Sequence, residues 1–168
     1  MRVDMRVAEG CTSFDDRLMT LSSPSPSPSG TRPHSDACLL TSQVTIICPG
    51  AEVGATGEVD GVTYTKRDRA GLDALVREES RWDQLGTSCT SRITNMSSIF
   101  YNADAFNQDI GGWDTSSVTD MIWMFRNADA FNQNLTYWDV DSVLACYAFS
   151  SGASSWTAPQ PAFTQCVP

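Results

Sequence analysis

The chain contains nearly the same 25 residues twice in succession. Residues 90–114 and residues 115–139 are identical at 14 of 25 positions. A fixed period of roughly 20 to 50 residues is typical of chains that stack short supersecondary units. Because one such unit cannot bury its apolar side alone, the next copy has to supply the partner surface. This repeat constrains the fold more than any other feature of the sequence.

Apolar residues recur at matching positions of successive copies, also outside the two full repeats. The aligned columns are Leu85, Ile110 and Leu135; Ile93, Val118 and Val143; Met96, Met121 and Cys146; Ile99, Met124 and Phe149; Ala103, Ala128 and Ala153; and Phe106, Phe131 and Trp156. Phe106 and Ile110 are spaced like the inward side of a short strand. Met121, Met124 and Phe125 recur at three- and four-residue spacing, as on a helix. The pattern predicts one strand and one helical turn per copy.

Two amides recur beside the apolar columns. Asn107 and Asn132 occupy aligned positions in the two full copies. An amide side chain carries both donors and acceptors. We therefore expect these residues to bridge the backbones of adjacent copies.

The residues before the repeats divide into a tail and a cap. The tail, residues 1–42, contains a Ser/Pro tract at 21–36 with little to bury, so we expect it to be disordered. Residues 43–89 form the cap. Its signals are a β-branched strand at 43–48, a tight type I′ hairpin turn at Asp60 and Gly61, and an amphipathic helix at 68–79 with Asp68 as N-cap. Residues 90–168 then form the repeat unit with a C-terminal cap.

Charge and hydropathy exclude some functions. The net charge of -9, the pI near 4.3 and the absence of a cluster among the 11 basic residues argue against nucleic acid as a partner. No apolar run approaches the roughly 20 residues that a membrane-spanning helix needs. Residues 1–16 lack the apolar core of a secretory signal, so the sequence as written predicts no export address.

The repeats closely resemble a known family. Residues 93–140, ITNMSSIFYNADAFNQDIGGWDTSSVTDMIWMFRNADAFNQNLTYWDV, resemble the 25-residue repeat of BspA-like leucine-rich-repeat surface proteins. The lead-in GVTYTKRDRAGLDALV at 61–76 resembles the segment that precedes such repeats, and the likeness extends over about residues 48–168. It implies an α/β fold, a short right-handed leucine-rich-repeat-like solenoid with a small N-terminal cap. It also implies a secreted or cell-surface protein, often an adhesin module, without catalytic residues.

Six cysteines indicate disulfides in an oxidising compartment and metal or redox chemistry in a reducing one. No CxxC pair occurs and the only histidine lies in the tail, which argues against a Cys/His zinc site. We expect two disulfides that staple the open ends of the stack, Cys48 with Cys89 and Cys146 with Cys166. Cys11 and Cys38 are either free or paired with each other.

Several polar positions have two readings. Asn95 and Asn134 begin N-x-Ser/Thr glycosylation triplets, although Asn95 also aligns with Asp120 in the repeat. The recurring acids lack the dense spacing of a calcium loop, so we expect solvated or turn-capping roles and no metal site; they are Asp104, Asp109, Asp114, Asp120, Asp129 and Asp139. Trp113 and Trp138 could stack on a sugar, but their aligned positions favour packing.

The sequence predicts no enzyme and no cofactor. A serine nucleophile needs a base held nearby, and the sole histidine, His34, lies in the tail. Carboxylates that recur identically in successive copies are typical of architecture and not of one polarised site.

We expect a non-enzymatic cell-surface or extracellular module that binds a host, matrix or cell-surface protein, or a glycan, through its strand ladder. Counting from Ile110 and Leu135 as inward, the outward neighbours are Asp109 and Gly111 in one copy and Asn134 and Thr136 in the next, with Tyr137 just beyond. We expect a ligand to contact Asp109, Asn134, Thr136 and Tyr137. The alternatives are a structural spacer or fragment of a larger repeat array, and a glycan- or ice-binding repetitive face. The ligand and the oligomeric state do not follow from the sequence.

Overall fold

The computed structural model describes residues 5–8 and 44–168. Most of the predicted tail, including Cys11, His34 and Cys38, lies outside the described residues. The exception is strand β1, Arg6–Ala8, which pairs antiparallel with β2, Thr45–Ile47. The division at residues 42 and 89 stays a prediction.

A second sheet completes the region before the repeats. Strand β3, Thr56–Val59, pairs antiparallel with β4, Val62–Lys66, and β4 pairs in parallel with β5, Ser88–Cys89. Asp60 and Gly61 join β3 to β4 with φ values of 49° and 79°. Positive φ at both central residues is the mark of a type I′ turn, so the predicted hairpin is confirmed.

Helix α1, Arg69–Val76, covers one end of the repeats. The Asp68 side chain accepts a hydrogen bond from the Gly71 amide at 2.8 Å, which confirms the predicted N-cap. Leu72 and Leu75 are buried in the main core. A 3-10 turn at Glu79–Arg81 and a short helix α2, Asp83–Gly86, lead to β5.

The predicted fold class, an α/β leucine-rich-repeat-like solenoid, is wrong. The described chain has two small sheets and two short helices, all of them outside the full repeats. Residues 90–168 contain no helix and no strand; they have only isolated parallel bridges, Asn95 with Asp120 and Asp120 with Ala145. The predicted strand at Phe106 to Ile110 does not form.

Successive turns explain the spacing that suggested a helix. The amide of Met124 donates to the Met121 carbonyl at 3.2 Å, and the amide of Ala128 donates to the Phe125 carbonyl at 3.0 Å. Such i to i+3 bonds bring every third residue to the same side without helical backbone. Left-handed φ values of 51° to 84° recur every 25 residues; they occur at Ser98, Trp123 and Ala148, and at Asn102, Asn127 and Gly152. These residues interrupt any regular helix or strand.

The copies nevertheless contact one another through regular backbone hydrogen bonds. Alternate amides of one copy donate to carbonyls of the next copy at 2.8 to 3.0 Å; the pairs are Met96 to Asp120, Ser98 to Ile122, Phe100 to Met124, and Asn102 to Arg126. The second copy donates to the third in the same register. Asn107 Oδ1 accepts from the Asn132 amide at 2.9 Å, and Asn132 Oδ1 accepts from the Thr157 amide at 2.8 Å. The predicted bridging by these amides is confirmed.

The main core lies between the copies. Phe106 and Phe131 are both fully buried, and their rings stack with centroids 5.7 Å apart and planes 3° from parallel. Trp113 and Trp138 stack in the same way at 6.2 Å and 5°. The aligned apolar columns were therefore correctly predicted as core, although the backbone that carries them was not.

Both predicted disulfides are present in the structure. Cys48, just after β2, is bonded to Cys89 in β5, and Cys146 is bonded to Cys166. The first joins the two small sheets, and the second fixes the C-terminal segment to the last copy. Among the described residues no helix is long and apolar enough to cross a membrane.

Candidate functional site

The four residues predicted to contact a ligand are all exposed. Asn134 and Thr136 lie together, because Asn134 Oδ1 accepts bonds from the Thr136 amide at 3.0 Å and its hydroxyl at 2.7 Å. Asp109 makes the aligned turn one copy earlier, accepting from the Gly111 amide at 2.9 Å. Tyr137 is 51% exposed. Since these residues sit on turns and not on a strand ladder, the geometric reason for choosing them is lost, and ligand contact stays a prediction.

The two glycosylation triplets differ in their surroundings. Asn95 Nδ2 donates to Asp120 Oδ2 at 3.3 Å, and its Oδ1 accepts from Arg69 and from Ser97. Asn134 is exposed, with its Oδ1 engaged by Thr136. Modification of either residue stays a prediction.

Four of the six recurring acids, Asp109, Asp114, Asp120 and Asp139, cap turns, which was one of the two predicted roles. Asp120 Oδ1 accepts from the Ile122 amide at 2.9 Å, and Asp139 Oδ1 accepts from the Asp141 amide at 3.1 Å. Asp114 Oδ1 accepts from the Ser116 hydroxyl at 2.6 Å. No group of three or more His, Cys, Asp or Glu side chains suited to a metal ion occurs within residues 5–8 and 44–168.

The tryptophans that were considered as a sugar platform are inside the core. Trp113 and Trp138 are 1% and 4% exposed. Their indole nitrogens donate to the carbonyls of Leu85 and Ile110, at 2.9 and 3.3 Å. Buried rings have no free face for a ligand, so their role is packing.

A different set of aromatic side chains lies on the surface, and the sequence reasoning missed it. Tyr101, Trp123 and Tyr147 belong to three successive copies and are 45%, 38% and 67% exposed. The Tyr101 and Trp123 rings lie 6.3 Å apart, and the Arg126 guanidinium lies 5.2 Å from the Trp123 ring centre. The Trp123 amide donates to the Tyr147 carbonyl at 3.1 Å. We call Tyr101, Trp123, Arg126 and Tyr147 the aromatic patch.

Trp123 is unusual in its backbone as well as in its exposure. Its φ is 57°, in the left-handed region that a bulky side chain rarely adopts. The aligned residues of the other copies, Ser98 and Ala148, have the same backbone conformation but small side chains. A strained residue persists only where the surrounding structure holds it in place, and such residues are concentrated at functional sites. This departure from the repeat was the sequence signal that could have identified the patch.

One buried polar cluster lies near the Cys48–Cys89 disulfide. The Lys66 ammonium donates to the Ser91 carbonyl, and the Ser91 hydroxyl donates to Asp114 Oδ2 at 2.5 Å. All three residues are buried. Burial lowers the pKa of Lys66 below its usual 10.5, and the nearby Asp114 carboxylate partly opposes that shift. The cluster joins the cap to both ends of the first full copy, and its members are buried.

Residues 72–164, more than half of the chain, match a family described as Mycoplasma protein of unknown function, DUF285. The chain belongs to the DUF285 family. The match begins at Leu72 in α1, so it takes in most of the capping helix as well as the copies that carry the aromatic patch. No curated protein and no solved structure matches this DUF285 protein.

Proposed function

We propose that this DUF285 protein is a non-enzymatic binding module that acts outside the cell or at the cell surface, and that the aromatic patch is its contact surface. The single observation that carries the proposal is Trp123, an exposed indole held on a left-handed backbone. Exposed Trp, Tyr and Arg side chains are the residue types most enriched at the energetic centres of protein interfaces. The partner is a protein, as in adhesion.

The location outside the cell is supported by the cysteines. Both disulfides lie in buried or half-buried positions that bind the cap and the C-terminal segment to the repeats. Structural disulfides form and persist mainly in oxidising compartments. The resemblance of the repeat sequence to BspA-like surface proteins also supports a location outside the cell or at its surface.

The absence of catalysis is supported by the burial of Ser91, whose hydroxyl donates to the Asp114 carboxylate. Ser91 is 2% exposed, so a substrate cannot reach this hydroxyl. A nucleophilic mechanism needs a substrate within reach as well as a base on the hydroxyl. The buried cluster therefore supports a structural role.

The proposal is tested with a panel of purified extracellular-matrix proteins and a glycan array, probed with the full chain. We expect capture by a matrix protein that Trp123→Ser and Tyr101→Ala each weaken by at least roughly tenfold, the loss of about 1.4 kcal/mol that one interface anchor supplies. Because serine is the residue of the aligned position Ser98, Trp123→Ser should leave the melting temperature unchanged or higher.

Tyr137→Ala is the matched control, since Tyr137 is an equally exposed aromatic outside the patch. Capture that is insensitive to Trp123→Ser but lost in Tyr137→Ala would place the site at the turn of Asn134 and Thr136. Capture of glycans alone would replace the protein partner with a carbohydrate. Capture of neither class would favour the structural-spacer alternative.

A further inference from the structure

The last copy of the repeat leaves a row of backbone amides without partners. In the second copy, the amides of Trp123, Phe125 and Asn127 donate to carbonyls of the third copy at 3.1, 2.8 and 2.9 Å. The aligned amides of the third copy are those of Ala148, Ser150 and Gly152. Within the described residues these three amides donate no hydrogen bond. We call them the donor row.

The donor row presents donors only. The carbonyls of Ala148 and Ser150, which would flank these amides on an ordinary strand edge, accept the amides of Ser151 and Ala153 within the segment, at 3.4 and 3.0 Å. The carbonyls of Tyr147, Phe149 and Ser151 point back to the second copy and accept its amides. An ordinary strand edge presents amides and carbonyls together. A ligand of this row must therefore offer acceptors and must not direct its own amides at it.

The side chains beside the donor row are also unusually exposed. Leu144 and Tyr147 are 69% and 67% exposed, the highest values among large apolar residues between positions 90 and 156. Tyr147 also belongs to the aromatic patch. Unpaired amides and exposed apolar side chains thus occur on the same copy.

The apolar end of the last copy is already covered. Phe163 and Cys166 pack against the main core, with the Phe163 ring 5.0 Å from the Phe149 ring, and Cys166 is bonded to Cys146. A further 25-residue copy would have to displace this segment to stack its own core. A single extended peptide needs only the backbone row.

We propose that the donor row and Tyr147 bind an extended peptide that carries proline at alternate positions. This inference rests on the proposed function, because it assigns the partner class of the same surface. In an extended peptide, the N–H and C=O groups of every second residue face the same side. A regular strand would therefore place its own N–H donors against the N–H donors of Ala148, Ser150 and Gly152, which cannot bond to each other. Proline at the facing positions removes those amides and keeps the carbonyls. Exposed Tyr and Trp side chains are also the surfaces on which proline-rich peptides dock.

The chain's own sequence dictates the choice of assay protein. Residues 23–29 alternate Ser and Pro, which is the same chemistry as the expected ligand. The full chain with Pro24, Pro26 and Pro28 each changed to Ala is therefore used, so that only the added peptide can occupy the row. The probe is a fluorescent peptide of four Ser-Pro pairs, measured by anisotropy.

We expect saturable binding of the Ser-Pro probe and roughly tenfold weaker binding of a probe of four Ser-Ala pairs. Ser150→Pro, which removes the middle donor, and Tyr147→Ser should each weaken the Ser-Pro probe by roughly tenfold. Ser150→Ala is the matched control, because it keeps the amide and removes only the hydroxyl bond to Gln160 at 3.1 Å.

Equal affinity for the Ser-Pro and Ser-Ala probes overturns the proposal, and this result does not depend on the folding of any variant. Unchanged affinity of both Tyr147→Ser and Ser150→Pro overturns it as well. If no Ser-Pro probe binds while capture of a matrix protein still depends on Trp123, this inference fails and the proposed function stands. If the probe binds at the donor row while no matrix protein is captured, the adhesive role fails and the peptide site remains.

Discussion

At the scale of single residues, the turns between copies depend on which side chain stands at each left-handed position. Asn102, Asn127 and Gly152 occupy one such column, with φ values of 57°, 58° and 84°. Asparagine and glycine tolerate this backbone best. The side-chain nitrogen Nδ2 of Asn127 donates to Asn102 Oδ1 at 2.9 Å. The other polar side-chain atom, Asn127 Oδ1, points at Gly152. The column is closed by glycine because nothing larger fits there.

Gly152→Ala should therefore destabilise the protein. A Cβ atom at this position would lie 2.3 Å from Asn127 Oδ1, and the left-handed backbone adds strain. We expect a loss of about 1 to 3 kcal/mol in the free energy of unfolding. Chemical denaturation measures it, with Gly50→Ala as control because no atom lies within 4 Å of the added methyl group. Equal stability of the two variants would show that the column tolerates side chains at its end.

At the scale of elements, local signals predicted local structure well. The Asp60 and Gly61 hairpin and the Asp68 N-cap each depend on one or two residues, and both formed as expected. The secondary structure predicted for the repeat was wrong, because a helix and a series of consecutive turns place side chains at the same spacing. Met121, Met124 and Phe125 recur every three or four residues on a helix, but they do so equally on consecutive turns. Only the φ of residues such as Trp123 decides between the two, and no propensity rule puts tryptophan there.

The candidate site was missed for a related reason. Reading the repeat as a strand ladder placed the outward side chains around Ile110 and Leu135. The structure puts the exposed aromatics on the turn segment instead, where Tyr101, Trp123 and Tyr147 occupy three different columns. Prediction from recurring residues alone overlooks side chains that occur in only one copy. The two disulfides could be predicted because their cysteines flank the repeats in sequence.

The C-terminal disulfide should stabilise the last copy more than the rest of the chain. Cys146 is buried in the core, and the bond to Cys166 closes a segment with a sequence separation of 20. Replacing both cysteines with alanine should cost about 3 kcal/mol, because the unfolded chain regains the freedom of that loop. Thermal unfolding of the double variant measures the loss, and peptide mapping of the parent confirms the pairing. An unchanged melting temperature would mean that packing of Phe163 alone fixes the segment.

At the scale of the whole molecule, the aromatic core connects the copies into one unit. The Phe131 ring lies 5.7 Å from Phe106, 4.3 Å from Phe125 and 4.6 Å from Trp156. It therefore contacts side chains of three copies at once. Since the copies contain no helix and no strand of their own, such contacts must carry much of the cooperativity.

Phe131→Ala should cost about 3 to 5 kcal/mol, the usual price of a cavity left by a buried phenylalanine. That is a large share of the stability of a small protein, so the unfolding transition should broaden as well as shift. Denaturant titration followed by tryptophan fluorescence tests both effects. Leu144→Ala serves as control, because that side chain is 69% exposed. Similar curves for both variants would show that the copies do not fold as a unit.

Stability at alkaline pH depends on two neighbouring residues of β4 whose effects have opposite signs. Burial raises the pKa of Tyr64 above its usual 10.0, with Asp60 and Asp109 adding to the shift. The unfolded chain loses this proton first, so the stabilising contribution of Tyr64 falls as pH rises above 10.0. Burial lowers the pKa of Lys66, so the unfolded chain holds that proton longer and stability rises with pH in the window that ends at 10.5.

The two effects separate by mutation. Below pH 10.0, of these two residues only Lys66 makes stability depend on pH, so the free energy of unfolding of the parent should rise with pH relative to that of Lys66→Met. Above pH 10.0 the effect of Tyr64 opposes that of Lys66, and Tyr64→Phe should keep more of its stability than the parent does. Urea unfolding at half-unit pH steps measures the three curves. If the parent and Lys66→Met run parallel from pH 8 to 10, the buried ammonium keeps its ordinary pKa, and the bonds from Lys66 to Ser91 and from Ser91 to Asp114 fully offset the cost of burying its charge.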